Sequence, residues 1–315
     1  MNCLAGVDEA GLGPVLGPLV VAGIAMAGPA GHDPWKLLLD NVSRDRHVKG
    51  KVRVADSKRV HQGSKGLERL EETVLTFLTA TSDRVPRTLE DLLRLAHHDI
   101  PRLQRCPWYQ DLRLQVPVHC DKGAIELAGH LLARTLDTNG IQVLGIALRA
   151  VDAGEFNELL ATTVNKGGAH FAAYGDVIAR LLRTLPNGAH LVADRAGSRL
   201  RYADDMRLLL PEATVTIVGE DERVSTYAIT IGDRAMKLTF TVEAEQRAFP
   251  TALASCFAKY LRELMLIVLN RWFRKKVPGL EPTAGYWVDG HRFLEDVRSL
   301  IETPGFPKKL LIRDR

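Results

Sequence analysis

Two nearly uninterrupted apolar segments near the start of the chain constrain its fold more than any other feature. Residues 4–7 and 19–27 lack the alternation of polar and apolar side chains that is typical of a strand with one face in water. A turn rich in glycine and proline, at residues 10–14, separates them. The pattern predicts two neighbouring strands in a sheet that is covered on both faces.

Strand and helix patterns alternate along the rest of the chain. Residues 64–78 place leucine and valine side chains at helical spacing with charges between them, which predicts an amphipathic helix. Further strands are predicted at residues 143–151, 189–193, 215–218, 226–231 and 237–242. Further helices are predicted at residues 156–161, 168–185, 248–275 and 290–302. This order predicts an α/β fold, a mixed sheet flanked by helices, with a helical C-terminal region.

Residues 82–138 differ from the segments on either side. Four prolines interrupt short helical patterns there, at Pro86, Pro101, Pro107 and Pro117. The stretch also holds the pair His97 and His98, whose surroundings fit no standard zinc spacing. We therefore predict an inserted subdomain at 82–138, a core formed by residues 1–81 and 139–280, and a C-terminal helix with a basic tail at 281–315.

The composition excludes several classes of protein. With 315 residues, 46% of them hydrophobic and 25% charged, the chain is too apolar to be disordered. The longest apolar stretches, residues 18–28 and 264–269, fall short of the roughly 20 residues that cross a bilayer, so no membrane is expected. Four cysteines without a CxxC pair, and no secretory signal, predict a reducing cytoplasm. The formal charge of +4 mildly favours a polyanionic partner.

Acidic side chains stand at the ends of several predicted strands. Asp8 and Glu9 close the first strand, Asp194 closes another, and Glu243 and Glu245 follow the last hairpin. Carboxylates meeting at one rim of a sheet bind hard divalent cations, and Mg²⁺ or Mn²⁺ is favoured over Zn²⁺ because no His or Cys accompanies them. Two such ions about 4 Å apart form the usual clamp for phosphoryl displacement. The alternative is that these acids simply face water.

Several segments resemble one family. Residues 6–14 (GVDEAGLGP) and 16–22 (LGPLVVA) resemble the opening signature of the type 2 ribonucleases H, the group that contains bacterial ribonucleases HII and HIII. Later segments are similar to family segments in the same order: 56–58 (DSK), 156–159 (FNEL), 190–194 (HLVAD), 254–259 (ASCFAK) and 285–286 (GY). The resemblance runs from residue 4 to about residue 300, apart from the insertion.

The resemblance implies a ribonuclease H-like fold and a metal-dependent endonuclease that cuts the RNA strand of an RNA–DNA hybrid. It implies that four acids are catalytic and bind Mg²⁺ or Mn²⁺, namely Asp8, Glu9, Asp194 and Glu245. It further implies that substrate is bound by Gly11, Leu12, Gly13, Ser57, Lys58, Tyr286 and His291. The expected partner is an RNA–DNA hybrid or a duplex containing ribonucleotides, and a monomer is favoured.

The chain also departs from the family pattern. Leu12 replaces the arginine of the Gly-Arg-Gly loop in HII enzymes, and Trp287-Val288 replaces a Gly-Thr pair. HIII enzymes carry an extra N-terminal domain, for which no room is expected ahead of a signature that begins at Gly6. The preference between a hybrid and a single embedded ribonucleotide, the metal and the purpose of the insertion therefore stay open. A catalytically weak or inactive nucleic-acid-binding protein is the alternative function.

Overall fold

Strands and helices alternate in the computed structural model of the protein, which describes residues 2–31, 33–82, 85–95, 99–163, 165–197 and 199–314. The strands are β1 (Asn2–Ala10), β2 (Leu19–Gly28), β3 (Val42–Ser43), β4 (Val52–Arg53), β5 (Gln142–Val151), β6 (His190–Asp194), β7 (Ala213–Glu220), β8 (Val224–Ile231) and β9 (Arg234–Thr241). The helices are α1 (Pro34–Leu37), α2 (Ser57–Val60), α3 (Gly66–Thr81), α4 (Leu89–Leu95), α5 (Ile100–Leu103), α6 (Lys122–Thr138), α7 (Ala153–Thr162), α8 (Lys166–Thr184), α9 (Ala203–Leu209), α10 (Ala244–Arg247), α11 (Phe249–Lys276), α12 (Trp287–Asp296), α13 (Arg298–Ile301) and α14 (Lys308–Leu311), with a 3₁₀ turn at Pro107–Tyr109.

Seven strands form one mixed sheet in the order β5-β2-β1-β6-β9-β8-β7. Strands β1, β2 and β5 make an antiparallel meander, whereas β6 runs parallel to β1 and β9 runs parallel to β6. Strands β8 and β7 extend the sheet as antiparallel neighbours. The predicted mixed sheet flanked by helices is confirmed, with β3 and β4 as a separate short parallel pair.

The strand β2 is buried along its whole length because helices cover both faces of the sheet. Val20 and Ile24 join the hydrophobic cluster that contains α11 and α3, while Val21 and Ala25 join the cluster that contains α8 and α9. Successive side chains of a strand point to opposite faces, so an uninterrupted apolar run is what a doubly covered strand requires. Burial against these two hydrophobic clusters therefore explains the uninterrupted apolar segment at residues 19–27.

Helix α11 approaches the backbone of β1 closely at Gly6. A Cβ atom added to Gly6 would lie 2.1 Å from the amide nitrogen of Thr251. The Thr251 hydroxyl donates a hydrogen bond to the Val192 carbonyl oxygen of β6, at 2.9 Å. The first turn of α11 is therefore fixed across the two strands that carry the predicted acids.

The predicted insertion is more helical than expected and packs against the core. Its prolines all precede Lys122, so the 17-residue helix α6 forms after them, with the Asp121 side chain capping its first turn. Trp108 is buried and packs against Trp272 and Phe273 of α11. The domain boundaries at 82 and 138 stay a prediction, and the histidine pair at 97 and 98 lies outside the described residues.

The C-terminal region folds back onto the molecule. The predicted helix at 290–302 is divided into α12 and α13, with Val297 between them. In the predicted basic tail, helix α14 packs on α7, and Arg313 is only 4% exposed. In the part of the chain that the structure describes, no helix is long and apolar enough to span a membrane.

Candidate active site

Two adjacent parallel strands bring Asp8 and Asp194 side by side. Val7 of β1 pairs with Ala193 of β6, and the two acids follow as the next residue on each strand. The Tyr174 hydroxyl lies 2.9 Å from the Val7 carbonyl oxygen and 3.0 Å from the Asp194 carbonyl oxygen, and so ties the two strand ends together from α8. The expected meeting of these two acids follows from this register.

The Asp8 carboxylate is buried on the α11 face of the sheet. It is 8% exposed, and its Oδ1 accepts a hydrogen bond of 2.7 Å from the Glu9 amide. Burial raises the pKa of Asp8 well above its usual range, and the negative charges of Glu9 and Asp194 raise it further. Hydrogen bonds from the Ser255 hydroxyl and the Glu9 amide act in the opposite direction. Both burial and the neighbouring acids therefore disfavour the ionised form of Asp8.

Glu9 points to the opposite face of the sheet, toward α8. Its Oε1 lies 3.5 Å from Nε2 of His170, which is buried. Among the described residues, Oε2 of Glu9 is buried without a hydrogen-bond partner. His170 belongs to none of the sequence motifs. It stands one helical turn before Tyr174 on α8, and the two rings pack 5.4 Å apart.

Asp194 and Glu245 form the second half of the acid cluster. Burial raises the pKa of Asp194, and the charge of Glu9 raises it too, whereas the Ala244 amide, 3.1 Å from Oδ1, lowers it. Burial likewise raises the pKa of Glu245, with further contributions from Asp194 and Asp56. These shared shifts couple Glu245 to Asp194, and Asp194 to Glu9, which in turn is coupled to Asp8. All four predicted acids are thus joined electrostatically at one rim of the sheet.

A strained turn places Glu245. Glu243 has a φ of 55° and is the one non-glycine residue in the left-handed region among the residues described. That conformation costs an L-residue roughly 1–2 kcal/mol. It ends β9 and starts α10, so that the Ala244 amide reaches Asp194 and Glu245 follows at once. The strained backbone at Glu243 therefore fixes the position of Glu245 relative to Asp194.

The segment Asp56-Ser57-Lys58 reaches the same rim from α2. The Ser57 amide donates to the Ser255 hydroxyl at 3.2 Å, and the two serine hydroxyls lie 3.0 Å apart. The positive charge of Lys58 lowers the pKa of Asp194, which puts Lys58 close to the acids. Asp56 caps α2 by accepting from the Lys58 amide. The charge of Asp56 raises the pKa of Glu245, so Asp56 is a further acid close to the site. The sequence resemblance includes Asp56 only as part of the segment 56–58.

The donor set has the chemistry of a site for a hard divalent cation. The candidate ligands are carboxylates, their mutual repulsion opposes ionisation, and among the described residues one buried oxygen of Glu9 has no hydrogen-bond partner. Oxygen ligands of this kind suit Mg²⁺ or Mn²⁺. Within the described residues, however, no three His, Cys, Asp or Glu side chains converge as a ready-made metal cluster. The residues fit such an ion in kind, and their side chains would have to turn toward it.

A second group of predicted residues lies on and beside the segment 11–17, here called the glycine loop. Gly11 has a φ of 93°, and a Cβ atom there would lie 2.6 Å from the Pro18 carbonyl oxygen. Gly13 is exposed with open space around it, whereas Leu12 packs against the cluster on the α8 face. The glycine loop follows Glu9 by one residue, so it borders the acid cluster directly.

Tyr286 and His291 are placed next to the glycine loop. The amides of Val15 and Leu16 donate to the Gly285 carbonyl oxygen, at 2.9 and 3.2 Å. Tyr286 follows and is 49% exposed, and Trp287 beside it is 47% exposed. The His291 ring packs edge-on against Trp287, with centroids 4.0 Å apart. Gly11, Leu12, Gly13, Tyr286 and His291 thus lie on or beside the glycine loop, whereas Ser57 and Lys58 lie beside the acids.

A groove of about 340 Å³ lies on the α11 face of the sheet, and its walls include Thr239, Thr241, His190 and Arg247. Thr241 pairs with Asp194 between β9 and β6. Among the described residues that line this groove, however, there is none of the four predicted acids.

Structural comparison finds ribonucleases H over nearly the whole chain. RNase HII from Archaeoglobus fulgidus, in its complex with PCNA, is 15% identical with a TM-score of 0.44, covering 99% of this chain and 94% of that one. Ribonuclease H2 from Pyrococcus horikoshii is 14% identical with a TM-score of 0.43, covering 98% and 92%. Bst-RNase HIII in complex with Mn²⁺ is 14% identical with a TM-score of 0.41, covering 99% and 66%.

No family model and no curated protein sequence matches this chain. The structural comparison finds the same group of proteins that the sequence motifs resemble, the type 2 ribonucleases H.

Proposed function

We propose that this chain is a divalent-metal-dependent endonuclease that cleaves the RNA strand of RNA–DNA hybrids by two-metal phosphodiester hydrolysis. The observation that carries the proposal is the parallel pairing of β1 with β6, which places Asp8 and Asp194 side by side at one rim of the sheet. Glu9 follows Asp8 directly, and Glu245 follows Ala244, whose amide donates to Asp194. Carboxylates this close together repel one another and so lower the stability of the fold. Bound divalent cations would offset this repulsion, which makes metal binding the function that the cluster favours.

The residues divide the work of the reaction between them. Asp8 and Asp194, side by side on β1 and β6, would hold the ions, with Glu9 and Glu245 on either side. Bound Mg²⁺ or Mn²⁺ would supply activation of the attacking water and stabilisation of the leaving oxygen. Lys58 offers a positive charge to a phosphate next to the acids. The protein then contributes by positioning ions and phosphate rather than by covalent chemistry.

The surroundings of the acids favour a nucleic acid as the substrate. Tyr286 and Trp287 expose large aromatic surfaces beside the glycine loop, and such surfaces stack on bases and sugars. The exposed backbone at Gly13 can approach a strand closely and meet the 2′-hydroxyl that distinguishes RNA from DNA. The ribonucleases H found by comparison share this overall fold, and a hybrid is therefore the first substrate to test.

The test is cleavage of three labelled duplexes by the purified protein. These are an RNA–DNA hybrid, a DNA duplex with one embedded ribonucleotide and plain duplex DNA, each with Mg²⁺, Mn²⁺ or EDTA. We expect cleavage of the RNA strand, with a 3′-hydroxyl product, only when a metal is present. Cleavage of plain DNA at an equal rate, or cleavage that persists in EDTA, would contradict the proposal.

Two substitutions test the acids themselves. Asp8→Asn and Asp194→Asn each remove one charge with almost no change of shape, and each is expected to lower kcat by at least about 100-fold, or about 2.7 kcal/mol of activation free energy. Hybrid binding should survive in both variants. The matched control is Asp137→Asn on the exposed side of α6, which should leave cleavage unchanged. Full activity in either site variant would remove the mechanism.

A second function is favoured by one specific observation. No three acids converge on an ion position among the described residues, and Leu12 and Trp287 depart from the family pattern. A nucleic-acid-binding protein with weak or no catalysis would have these features. Tight hybrid binding without cleavage in either metal would select this alternative.

The cellular setting belongs to the same proposal. The four cysteines are free, and Cys3, Cys106 and Cys256 are buried, as suits a reducing cytoplasm. The monomeric state stays a prediction that sedimentation or light scattering can test.

A further inference from the structure

We propose that Arg313, near the carboxyl end of the chain, is a positioning residue that holds the glycine loop in the shape that binds substrate. The proposal rests on the proposed function, because it takes residues 11–17 as the substrate-binding loop. It assigns a role to a segment that the sequence alone indicates only as a basic tail.

One guanidinium group joins both ends of the glycine loop. Nη1 of Arg313 donates to the Gly11 carbonyl oxygen at 2.5 Å, and Nη2 donates to the Gly17 carbonyl oxygen at 2.6 Å. The Arg313 amide also donates to the Val15 carbonyl oxygen at 3.0 Å. The planar, forked arrangement of donors in arginine allows one side chain to bind two separate acceptors. The tail therefore holds the loop at its start, its middle and its end.

Hydrogen bonds on the other side of the glycine loop connect it to the segment that bears Tyr286. The Gly285 carbonyl oxygen accepts hydrogen bonds from the Val15 and Leu16 amides. Arg262 donates to the Ala284 carbonyl oxygen at 2.9 Å, and its guanidinium lies 5.4 Å from the centre of the Tyr286 ring. Loop and aromatic residue thus form one connected unit, and a loop that loosens would displace Tyr286 as well.

The charges of this unit are unusual for a purely structural contact. Arg262 is fully buried, Arg313 is 4% exposed, and within the described residues the Nε atoms of both lack a hydrogen-bond partner. Arg262 pairs with Glu263 at 3.4 Å, whereas no carboxylate in the described part of the chain forms a salt bridge with Arg313. Burying the cation of Arg313 against neutral carbonyl groups is unfavourable in the absence of a negative partner. The same charge beneath the glycine loop favours the phosphates of a nucleic acid above it.

The tail itself is fixed from behind by Asn157. The Asn157 side-chain amide donates to the carbonyl oxygens of Lys309 and Ile312, at 3.0 and 2.9 Å. Its Oδ1 accepts from the Asp314 amide at 2.7 Å. Asn157 belongs to the segment 156–159 that resembles the family, but it is not one of the residues of the acid cluster. Its contacts hold Arg313 in place before any substrate arrives, which is the condition for preorganisation.

Two variants and one control test the proposal. Arg313→Met removes the charge and both side-chain hydrogen bonds, and Asn157→Ala releases the tail while keeping the arginine. Lys309→Met removes a neighbouring exposed charge of the same tail and is the control. We expect KM for the hybrid to rise about tenfold in the first two, equal to about 1.4 kcal/mol, with kcat changed far less. Millimolar guanidinium should partly restore the KM of Arg313→Met, compared with the same concentration of sodium chloride.

A second measurement needs neither metal nor nucleic acid. Amide hydrogen exchange at Val15 and Leu16 should become faster in Arg313→Met and Asn157→Ala, but not in Lys309→Met. Exchange at Ile24, in the buried strand β2, should stay unchanged and so exclude global destabilisation. If Arg313→Met does not fold, Asn157→Ala and Arg313→Lys provide the same comparison, because Lys keeps the charge but not the fork.

The outcomes separate this inference from the proposed function. If the wild-type protein cleaves no hybrid, the proposed function fails, while faster exchange at Val15 and Leu16 still supports Arg313 as the residue that positions the loop. If the protein cleaves hybrid and these variants keep wild-type KM and wild-type exchange, the inference is overturned and the proposed function stands.

Discussion

The carboxyl group of Asp8 is buried beside two other acids, so its negative charge lowers the stability of the metal-free protein. Its folded pKa lies well above 3.8, the value of an unperturbed Asp, because burial and then Glu9 and Asp194 raise it. The folded state therefore binds this proton more tightly than the unfolded state does. The penalty is absent below about pH 3.8 and grows as the pH rises through the folded pKa.

We expect Asp8→Asn to increase the free energy of unfolding in EDTA by about 1–2 kcal/mol at pH 7, since it removes the buried charge. The gain should become small near pH 4, where the wild-type carboxyl is protonated in the folded state and about half protonated in the unfolded state. Urea unfolding at the two pH values measures this, with Asp137→Asn as the control. An equal gain at both pH values would show that packing rather than charge is responsible.

Glu243 stands in a conformation that glycine adopts without strain. Glu243→Gly should therefore stabilise the protein by about 1 kcal/mol and leave cleavage nearly unchanged, because the turn and Glu245 stay in place. At the exposed Glu222, which is not in the left-handed region, the same change should give no gain. Thermal unfolding of both variants checks this prediction. A loss of stability in Glu243→Gly would show that the backbone at Glu243 is not strained.

At the scale of elements, local pattern predicted most strands and helices but not how they are joined. The apolar runs at 4–7 and 19–27 predicted β1 and β2, yet β1 continues through Asp8 and Glu9 because its pairing with β2 extends that far. The short helix α9 was missed because seven residues give little periodicity.

The sequence predicts candidate site residues and their meeting at one rim of the sheet, but not the strand pairing that brings them together. The motifs named Asp8, Asp194 and Glu245, whereas their proximity depends on the parallel pairing of β1 with β6, which no local pattern specifies. His170 and Arg313 were missed for a different reason. Charged and polar residues are usually exposed, so a sequence gives no sign that these two are buried beside the site.

The packing of α11 on β1 gives a prediction at the same scale. In Gly6→Ala the new Cβ would meet backbone atoms of Thr251 and Pro250 at 2.1–2.5 Å, and backbone cannot rotate away as a side chain can. We expect a loss of about 3 kcal/mol or more in the free energy of unfolding. Gly145→Ala on β5, where nothing lies within 4 Å, is the matched control and should change stability little. Equal effects in the two variants would mean that α11 shifts freely over the strand.

At the scale of the whole molecule, the charges are separated into two neighbouring zones. Carboxylates occupy the rim formed by β1, β6 and the turn after β9, while Arg262 and Arg313 lie beneath the glycine loop next to it. A metal ion would neutralise the first zone, and the phosphates of a nucleic acid would meet the second. The two zones should therefore respond independently to metal and to substitution.

Titration with Mg²⁺ or Mn²⁺ tests this separation, because an ion that binds only the folded state stabilises it by mass action. A concentration of 100 times Kd raises the free energy of unfolding by about 2.7 kcal/mol. We expect this rise in the wild-type protein and in Arg313→Met, whose acids are intact, and a much smaller rise in Asp194→Asn, which lacks one ligand. Thermal unfolding across the titration measures it, with sodium chloride at equal ionic strength as the control. A rise of the same size in Asp194→Asn would place the ion elsewhere, and its loss in Arg313→Met would mean that loop and acids act as one unit.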